Sequence, residues 1–194
     1  GESALTQEPT ADCDDLTHGL FAFAELEPDL DANRVALLGF SLGGAVAART
    51  AAHDRRVRAL VAVTPPYDPR PWFDRTIPLM RRHLAAIAGG LDEARLLCRE
   101  FALPGVIERT TMPVLVLGAG RDLIVPPEEA LRYCTAAGPR GTLLWYPDGT
   151  HGLYDELQDW MTDVAGWLHE RAGMGPTSTQ VDTGMHRVRA APPS

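Results

Sequence analysis

The sequence predicts an α/β fold built on a parallel sheet, and three observations support this prediction. Short apolar runs of strand length alternate with longer stretches in which apolar residues recur at helical spacing. The runs are nearly continuous, as expected for parallel strands that helices cover on both faces. The first run leads directly into Gly39-Phe40-Ser41-Leu42-Gly43, and an alanine-rich helical stretch follows. Strands that alternate with helices form right-handed crossover units, which place the carboxyl ends of all strands at one edge of the sheet.

The helices and strands can be placed in order from this pattern. Pro28 and Asp31 end the first helix, and Pro126-Pro127, followed by two glutamates, begins the fifth. The predicted elements are, in chain order, helix Ala11–Leu26, strand Val35–Leu38, helix Leu42–Ala52, strand Ala59–Val63, helices Leu79–Ala88 and Leu91–Phe101, strand Val114–Leu117, the helix that begins at Pro126, strand Thr142–Tyr146 and helix Leu153–Leu168.

The first and last helices are amphipathic, so each predicts a buried side. The first is expected to bury Leu16, Leu20, Phe23 and Ala24. The last is expected to bury Leu157, Trp160, Met161, Val164 and Trp167. From Gly173 onward the periodicity is lost, and Gly, Pro, Thr and Ser dominate. We therefore expect one partial domain over residues 1–171, with a helical lid insert at about 65–109, and a disordered tail over 172–194.

Composition excludes several classes of function. The chain has 194 residues and a formal net charge of -8, which suits one domain and argues against nucleic-acid binding. No apolar run approaches the ~20 residues that a membrane helix needs, and the start of the chain shows no signal peptide. Cys13, Cys98 and Cys134 are widely spaced and fit neither a disulfide framework nor a metal site. We expect a cytoplasmic protein that needs no metal or organic cofactor.

The segment around Ser41 has the form of a nucleophile elbow, a tight turn between a strand and a helix that exposes a serine hydroxyl. Gly39 and Gly43 are expected to remove Cβ atoms that would collide when strand and helix pack closely. The helix that follows would direct the N–H of Leu42 at a developing negative charge, as an oxyanion donor. The alternative is a glycine-flanked turn without chemistry. The other serines lie near the chain ends, so no other serine competes.

A serine hydroxyl needs a base within hydrogen-bond reach, and that base needs an acid to orient it. Asp122 follows the third predicted strand and His151 follows the fourth, which gives the chain order Ser, Asp, His. We predict Ser41 as nucleophile, His151 as base and Asp122 as the acid. Asp148 is a rival acid, although it is close in sequence to His151 and reaches that ring less easily. Each of these two residues also has a non-catalytic interpretation. His151 could cap the helix that follows it, and Asp122 could cap the turn before Pro126.

The predicted lid insert contains large apolar side chains that suit a substrate pocket. These are Trp72, Phe73, Leu79 and Met80. A second interpretation, in which they form the core of the lid itself, fits the sequence equally well.

The Ser41 elbow, the turn Gly118–Asp122 and the turn Asp148–His151 together resemble the α/β-hydrolase superfamily. The insert, with Leu91-Asp92-Glu93-Ala94-Arg95, is similar to the branch of dihydroxypseudooxynicotine hydrolase, the fermentation–respiration switch esterases and several polyketide-tailoring hydrolases. The resemblance implies a serine-triad enzyme for an ester, or for a C–C bond next to a carbonyl, in a small, largely apolar metabolite. Polyketide-like and aromatic compounds are the metabolites that this resemblance suggests. It also leaves open a lyase of natural-product biosynthesis that eliminates an acyl group as carboxylate.

The chain differs from this superfamily at its start. Gly1-Glu2-Ser3 resembles the end of a glycine-rich loop midway through the fold, so we expect the upstream strands and the loop with the second oxyanion donor to be absent from this sequence. We therefore expect the C-terminal portion of a larger enzyme, which would need its N-terminal segment as a partner. A naturally short form and a non-catalytic binding module are the alternatives. Relatives in this branch are often dimers, which implies a homodimer as one possible assembly.

Overall fold

The computed structural model describes residues 14–173, whose centre is a parallel sheet. Its four strands follow one another in chain order, each hydrogen-bonded in parallel to the next. They are β1 (Val35–Phe40), β2 (Val57–Val63), β3 (Val114–Ala119) and β4 (Gly141–Tyr146). The helices are α1 (Asp14–Leu26), α2 (Leu42–His53), α3 (Pro78–Ala88), α4 (Leu91–Glu100), α5 (Glu128–Ala137) and α6 (Leu157–Ala172). The predicted α/β architecture is confirmed.

Helices cover both faces of the sheet, because neighbouring strand residues point to opposite sides. On one face, Leu60 and Val116 pack in a cluster with apolar residues of α1, α2 and α5. On the other face, Val61 and Leu115 pack with Trp160 and other apolar residues of α6. The two clusters hold the strands in a layered core, and this fixes the edge at which all four carboxyl ends meet.

β1 is less buried than its apolar sequence predicts. Within the described residues it pairs with β2 alone, so it forms an edge of the sheet. Leu38 is 45% exposed, and Val35 to Leu37 are only half-buried. The expectation of a strand covered on both faces is therefore wrong for β1, whereas β3 is buried along its whole length.

The buried side of α1 also differs from the prediction. Phe21 is fully buried and Ala24 nearly so, but Leu20 and Phe23 are exposed. The helix is rotated so that Phe21 packs beneath the guanidinium of Arg56, 4.0 Å from the ring centroid. Helical spacing defined an apolar side, but this tertiary contact decided which part of it is buried.

The last helix begins later than predicted, at Leu157. Leu153 has φ +53, which a helix cannot accommodate, and it forms a buried turn instead. Trp160, Val164 and Trp167 are buried as expected, whereas Leu157 and Met161 are largely exposed. The predicted start of the first helix at Ala11, the side chain of Leu16 and the predicted tail beyond Gly173 lie outside the described residues.

The insert between β2 and β3 is helical, as predicted, and contains α3 and α4. Phe73, Ala94 and Cys98 form its own small apolar cluster. No helix within residues 14–173 combines the length and the apolar character that crossing a membrane requires.

Candidate active site

Ser41 lies at the carboxyl end of β1, in a sharp turn directly before α2. Its backbone has φ 49° and ψ −123°, a conformation that L-residues rarely adopt. The turn is fixed on both sides: the Ser41 N–H donates to the carbonyl of Val63 at 2.9 Å, and the Gly44 N–H donates to the Ser41 carbonyl at 2.8 Å. This strained and well-bonded geometry is the one that a nucleophile elbow requires.

The glycines of the motif have different roles from those predicted. A Cβ on Gly39 would lie 2.1 Å from the carbonyl oxygen of Gly43, so position 39 admits no side chain. A Cβ on Gly43 would meet open space, and the expectation that Gly43 avoids a collision is therefore wrong. The second close approach belongs to Gly44, where a Cβ would lie 2.9 Å from the Cβ of Pro65.

Asp122 and His151 meet directly at the same edge of the sheet. Asp122 Oδ2 lies 2.7 Å from His151 Nδ1. The other carboxylate oxygen, Oδ1, accepts the N–H groups of Ile124 at 2.8 Å and Val125 at 2.9 Å. The side chains of Asp122 and His151 are 3% and 16% exposed. These contacts fix the carboxylate and leave Nε2 of the imidazole free to face a reacting group.

Asp148, the rival acid, has a different partner. Its carboxylate pairs with the guanidinium of Arg121, and both side chains are largely exposed. The structure thus brings Asp122 to His151 and places Asp148 in a surface ion pair.

Leu42 is the first residue of α2, so its N–H lacks a partner within the helix and lies beside the Ser41 turn. No hydrogen bond joins the Ser41 hydroxyl to His151 within residues 14–173. Such bonds are often long in ligand-free enzymes and shorten when substrate binds.

A cavity of about 60 Å³ lies beside Ser41 and Leu42, between the insert and the sheet. The predicted pocket residues Trp72, Phe73 and Met80 line it. Leu79 does not, because it is 66% exposed. The cavity wall is apolar and also includes Leu97, Phe101 and Val125.

Leu97 and Phe101 lie in the predicted helix Leu91–Phe101, but the sequence did not indicate that they line a pocket. The helical spacing of Ala94, Leu97, Cys98 and Phe101 was the available signal. Burial raises the pKa of the Cys98 thiol to about 11, and the nearby Asp74 carboxylate adds to this effect. Cys98 also lines the cavity, so the cavity contains a thiol that is protonated at neutral pH.

Glu129 has a structural role that its sequence context does not indicate. It was interpreted only as a favourable charge in the first turn of α5, but it is fully buried. Its Oε2 accepts the N–H groups of Tyr67 at 2.9 Å and Asp68 at 2.6 Å, and its Oε1 lies 2.7 Å from Arg132. Glu129 therefore fastens the start of the insert to α5. The insert is held again shortly before α3, where the Thr76 hydroxyl donates to the Ile124 carbonyl at 2.9 Å.

Comparison with known proteins places this geometry in a family. The model of the prolyl oligopeptidase family, Peptidase_S9, matches residues 2–175. The chain belongs to this family. The prolyl oligopeptidase family and the solved relatives below share the α/β-hydrolase fold, which the sequence motifs predicted. Among the described residues, no group of three or more His, Cys, Asp or Glu side chains could hold a metal ion.

The chain is similar to several hydrolases. It is 33% identical over 140 residues to Hydrolase phmG of Phaeosphaeria nodorum, an alignment that covers 54% of this chain and 31% of that protein. The crystal structure of a 2,6-dihydroxy-pseudo-oxynicotine hydrolase superimposes with a TM-score of 0.76 at 21% identity, over 86% of this chain and 48% of that one. AbyA5 superimposes with a TM-score of 0.75 at 20% identity, over 87% of this chain and 51% of that one. The chain therefore spans about half the length of these solved relatives and a third of the curated one.

Proposed function

We propose that this chain carries the nucleophile, base and acid of a serine hydrolase. The main support for this proposal is the 2.7 Å contact between Asp122 Oδ2 and His151 Nδ1. This contact lies at the sheet edge where the strained Ser41 turn also lies. His151 Nε2 takes the Ser41 proton as Oγ attacks a carbonyl carbon, and Asp122 stabilises the imidazolium that forms. The proton then passes to the leaving group. Water, activated by the same histidine, releases the acyl group from Ser41.

The negative charge that develops on the substrate oxygen needs hydrogen-bond donors. The N–H of Leu42 supplies one of them, because it is the first amide of α2 and follows Ser41 directly. Oxyanion holes of this fold use a second N–H from another loop. We propose that this donor belongs to an upstream segment of the same enzyme, which pairs with the side of β1 that faces no strand of residues 14–173.

The cavity supports a substrate with a small, apolar acyl group. Its volume of about 60 Å³ is well below the ~150 Å³ cavity that holds a benzene molecule. A short apolar acyl group suits such a space, because the wall of the cavity is apolar. Trp72, Phe73 and Met80 would contact this group. The proposed reaction is hydrolysis of an ester, or of a C–C bond next to a carbonyl, in a small and largely apolar metabolite.

Covalent labelling tests the proposal directly. A fluorophosphonate should add once to the wild-type protein, and the adduct should map to Ser41. Ser41→Ala should remove the adduct, and His151→Ala should slow labelling at least 100-fold. His169→Ala is the matched control, since His169 is an exposed histidine on α6, and it should label like the wild type. The test uses the enzyme together with its upstream segment, and a folded protein of that length without an adduct on Ser41 would contradict the proposal.

Hydrolysis in H₂¹⁸O separates the two reaction classes of this fold. Acetyl and butyryl esters of p-nitrophenol should be cleaved with ¹⁸O in the released acid. A labelled Ser41 without activity towards any ester would redirect the search to C–C bonds. For the natural substrate, an alkene product without ¹⁸O incorporation would favour elimination.

A further inference from the structure

Three non-glycine residues of the described chain have a positive φ, and they cluster at the candidate site. They are Ser41 (φ 49°), Thr64 (φ 45°) and Leu153 (φ 53°). They follow β1, β2 and β4 respectively, at or just beyond the carboxyl edge of the sheet. Ser41 is explained by the elbow, and Leu153 closes the turn after His151. Thr64 has no place in the proposed reaction.

A positive φ is costly for threonine in particular, because its branched Cβ crowds the backbone. Backbone strain of this kind persists where surrounding contacts hold it, and it is often found at functional sites. Thr64 is 3% exposed, and its N–H donates to the carbonyl of Leu117 in β3 at 2.8 Å. The strained conformation is therefore held from within the sheet.

The strained backbone of Thr64 places its hydroxyl against the loop that carries His151. Thr64 Oγ1 accepts the N–H of Gly152 at 3.1 Å, and Gly152 directly follows His151. The two residues are separated by 88 positions in the chain. The residue before Thr64, Val63, accepts the N–H of Ser41 through its carbonyl at 2.9 Å. The last residue of β2 thus holds the Ser41 turn, and the residue directly after it holds the His151 loop.

We infer that Thr64 is a positioning residue, which sets the His151 imidazole against Ser41 through the Gly152 amide. β1 and β4 lie three strands apart in the sheet, so Ser41 and His151 meet only if the loop after β4 reaches back across the sheet edge. Asp122 contacts the imidazole itself, but the Thr64 hydroxyl is the contact that fixes the backbone of the loop over β2. This inference rests on the proposed serine chemistry.

Three substitutions of Thr64 distinguish the effect of its hydroxyl from the effect of its strained backbone. Thr64→Val keeps the branched shape and removes the acceptor. Thr64→Gly removes both the acceptor and the strain, so it folds even if the valine variant does not. Thr64→Ser keeps the hydroxyl and should restore function. Thr110→Val is the matched control: Thr110 is 3% exposed and its hydroxyl makes two hydrogen bonds, but it precedes β3 at the opposite edge of the sheet.

We expect the valine and glycine variants to react with the fluorophosphonate at least 10-fold more slowly than the wild type. The serine variant should stay within 3-fold of it, and Thr110→Val should label like the wild type whatever its melting temperature. NMR provides a second readout that needs no activity: the Gly152 amide should exchange faster with solvent, and the His151 ring resonances should shift, in Thr64→Val and Thr64→Gly only.

The outcomes are distinguishable. If the wild type does not label but the Gly152 and His151 signals respond as described, the proposed function fails and the positioning role of Thr64 stands. Wild-type labelling rates in both Thr64→Val and Thr64→Gly would overturn the inference. A serine variant as slow as the valine variant would also overturn it, because the hydroxyl would then not be the cause.

Discussion

His151 Nδ1 lies 2.7 Å from Oδ2 of Asp122, a residue that precedes it by 29 positions. The sheet creates this contact, because β3 and β4 are neighbours and their carboxyl-end loops lie side by side. The second carboxylate oxygen is fixed by two backbone amides, so the carboxylate is held in place before any substrate binds. The geometry favours the tautomer in which Nδ1 carries the hydrogen and Nε2 can accept one.

Asp122→Asn should therefore lower kcat for ester hydrolysis by about 10³- to 10⁴-fold, because an amide at this position favours the wrong tautomer. Asp148→Asn is the control, since it removes an acid near His151 but only breaks an exposed ion pair with Arg121. It should leave kcat within about 2-fold. Steady-state kinetics of both variants on p-nitrophenyl butyrate would show which of the two aspartates is the acid. A larger loss in Asp148→Asn would mean that the assignment of the acid is wrong.

The two glycines of the elbow should respond oppositely to alanine. Gly39→Ala places a Cβ against the backbone of Gly43, which no side-chain rotation can relieve, and should destabilise the protein by about 3 kcal/mol or more. Gly43→Ala fills open space in the first turn of α2 and should be neutral or stabilising by up to about 1 kcal/mol. Urea unfolding measures both. If both variants were destabilised equally, something other than a steric clash would require glycine at position 43.

Met80 should limit the length of the acyl group, because it lines the cavity beside Ser41. Met80→Ala should raise the kcat/KM ratio of p-nitrophenyl hexanoate to butyrate by about 10-fold, since two further methylene groups become buried at about 0.8 kcal/mol each. Leu79→Ala is the matched control, because Leu79 is the neighbouring residue and is 66% exposed. If both variants show the same ratio as the wild type, Met80 does not contact the acyl group.

The Cys98 thiol should make stability depend on pH in the alkaline range. Burial raises its pKa to about 11, whereas a thiol in an unfolded chain ionises near ~8.5. Between these values the native state binds more protons than the unfolded state, so the free energy of unfolding falls as pH rises. Thermal unfolding at pH 8 and pH 10.5 should show a larger loss in the wild type than in Cys98→Ser. If the stability of the wild type and of Cys98→Ser fell equally with pH, the Cys98 thiol would lie in a more polar environment than the structure indicates.

Much of the fold and of the candidate site could be predicted because the signals are local. Ser41, Asp122 and His151 each follow an apolar run, and parallel strands bring such positions to one edge whatever the details of packing. The buried side of α1 could not be predicted, because the contact of Phe21 with Arg56 depends on how two distant segments dock. The role of Glu129 was hidden for the same reason: its sequence context is that of a helix start, but its partners lie 61 and 62 positions away.

Glu129 tethers the insert to α5, and this tether affects which residues can change when substrate specificity changes. Residues 67–76 are bonded both to α5 and to the loop that follows Asp122, so substitutions there would disturb substrate choice and proton transfer together. The side of α3 that carries Met80 and Leu84 contacts the cavity and takes no part in these bonds. We expect that varying this side of α3 alone would alter specificity, while the proposed proton-transfer groups keep their rates. Natural divergence among relatives would be expected to follow the same route.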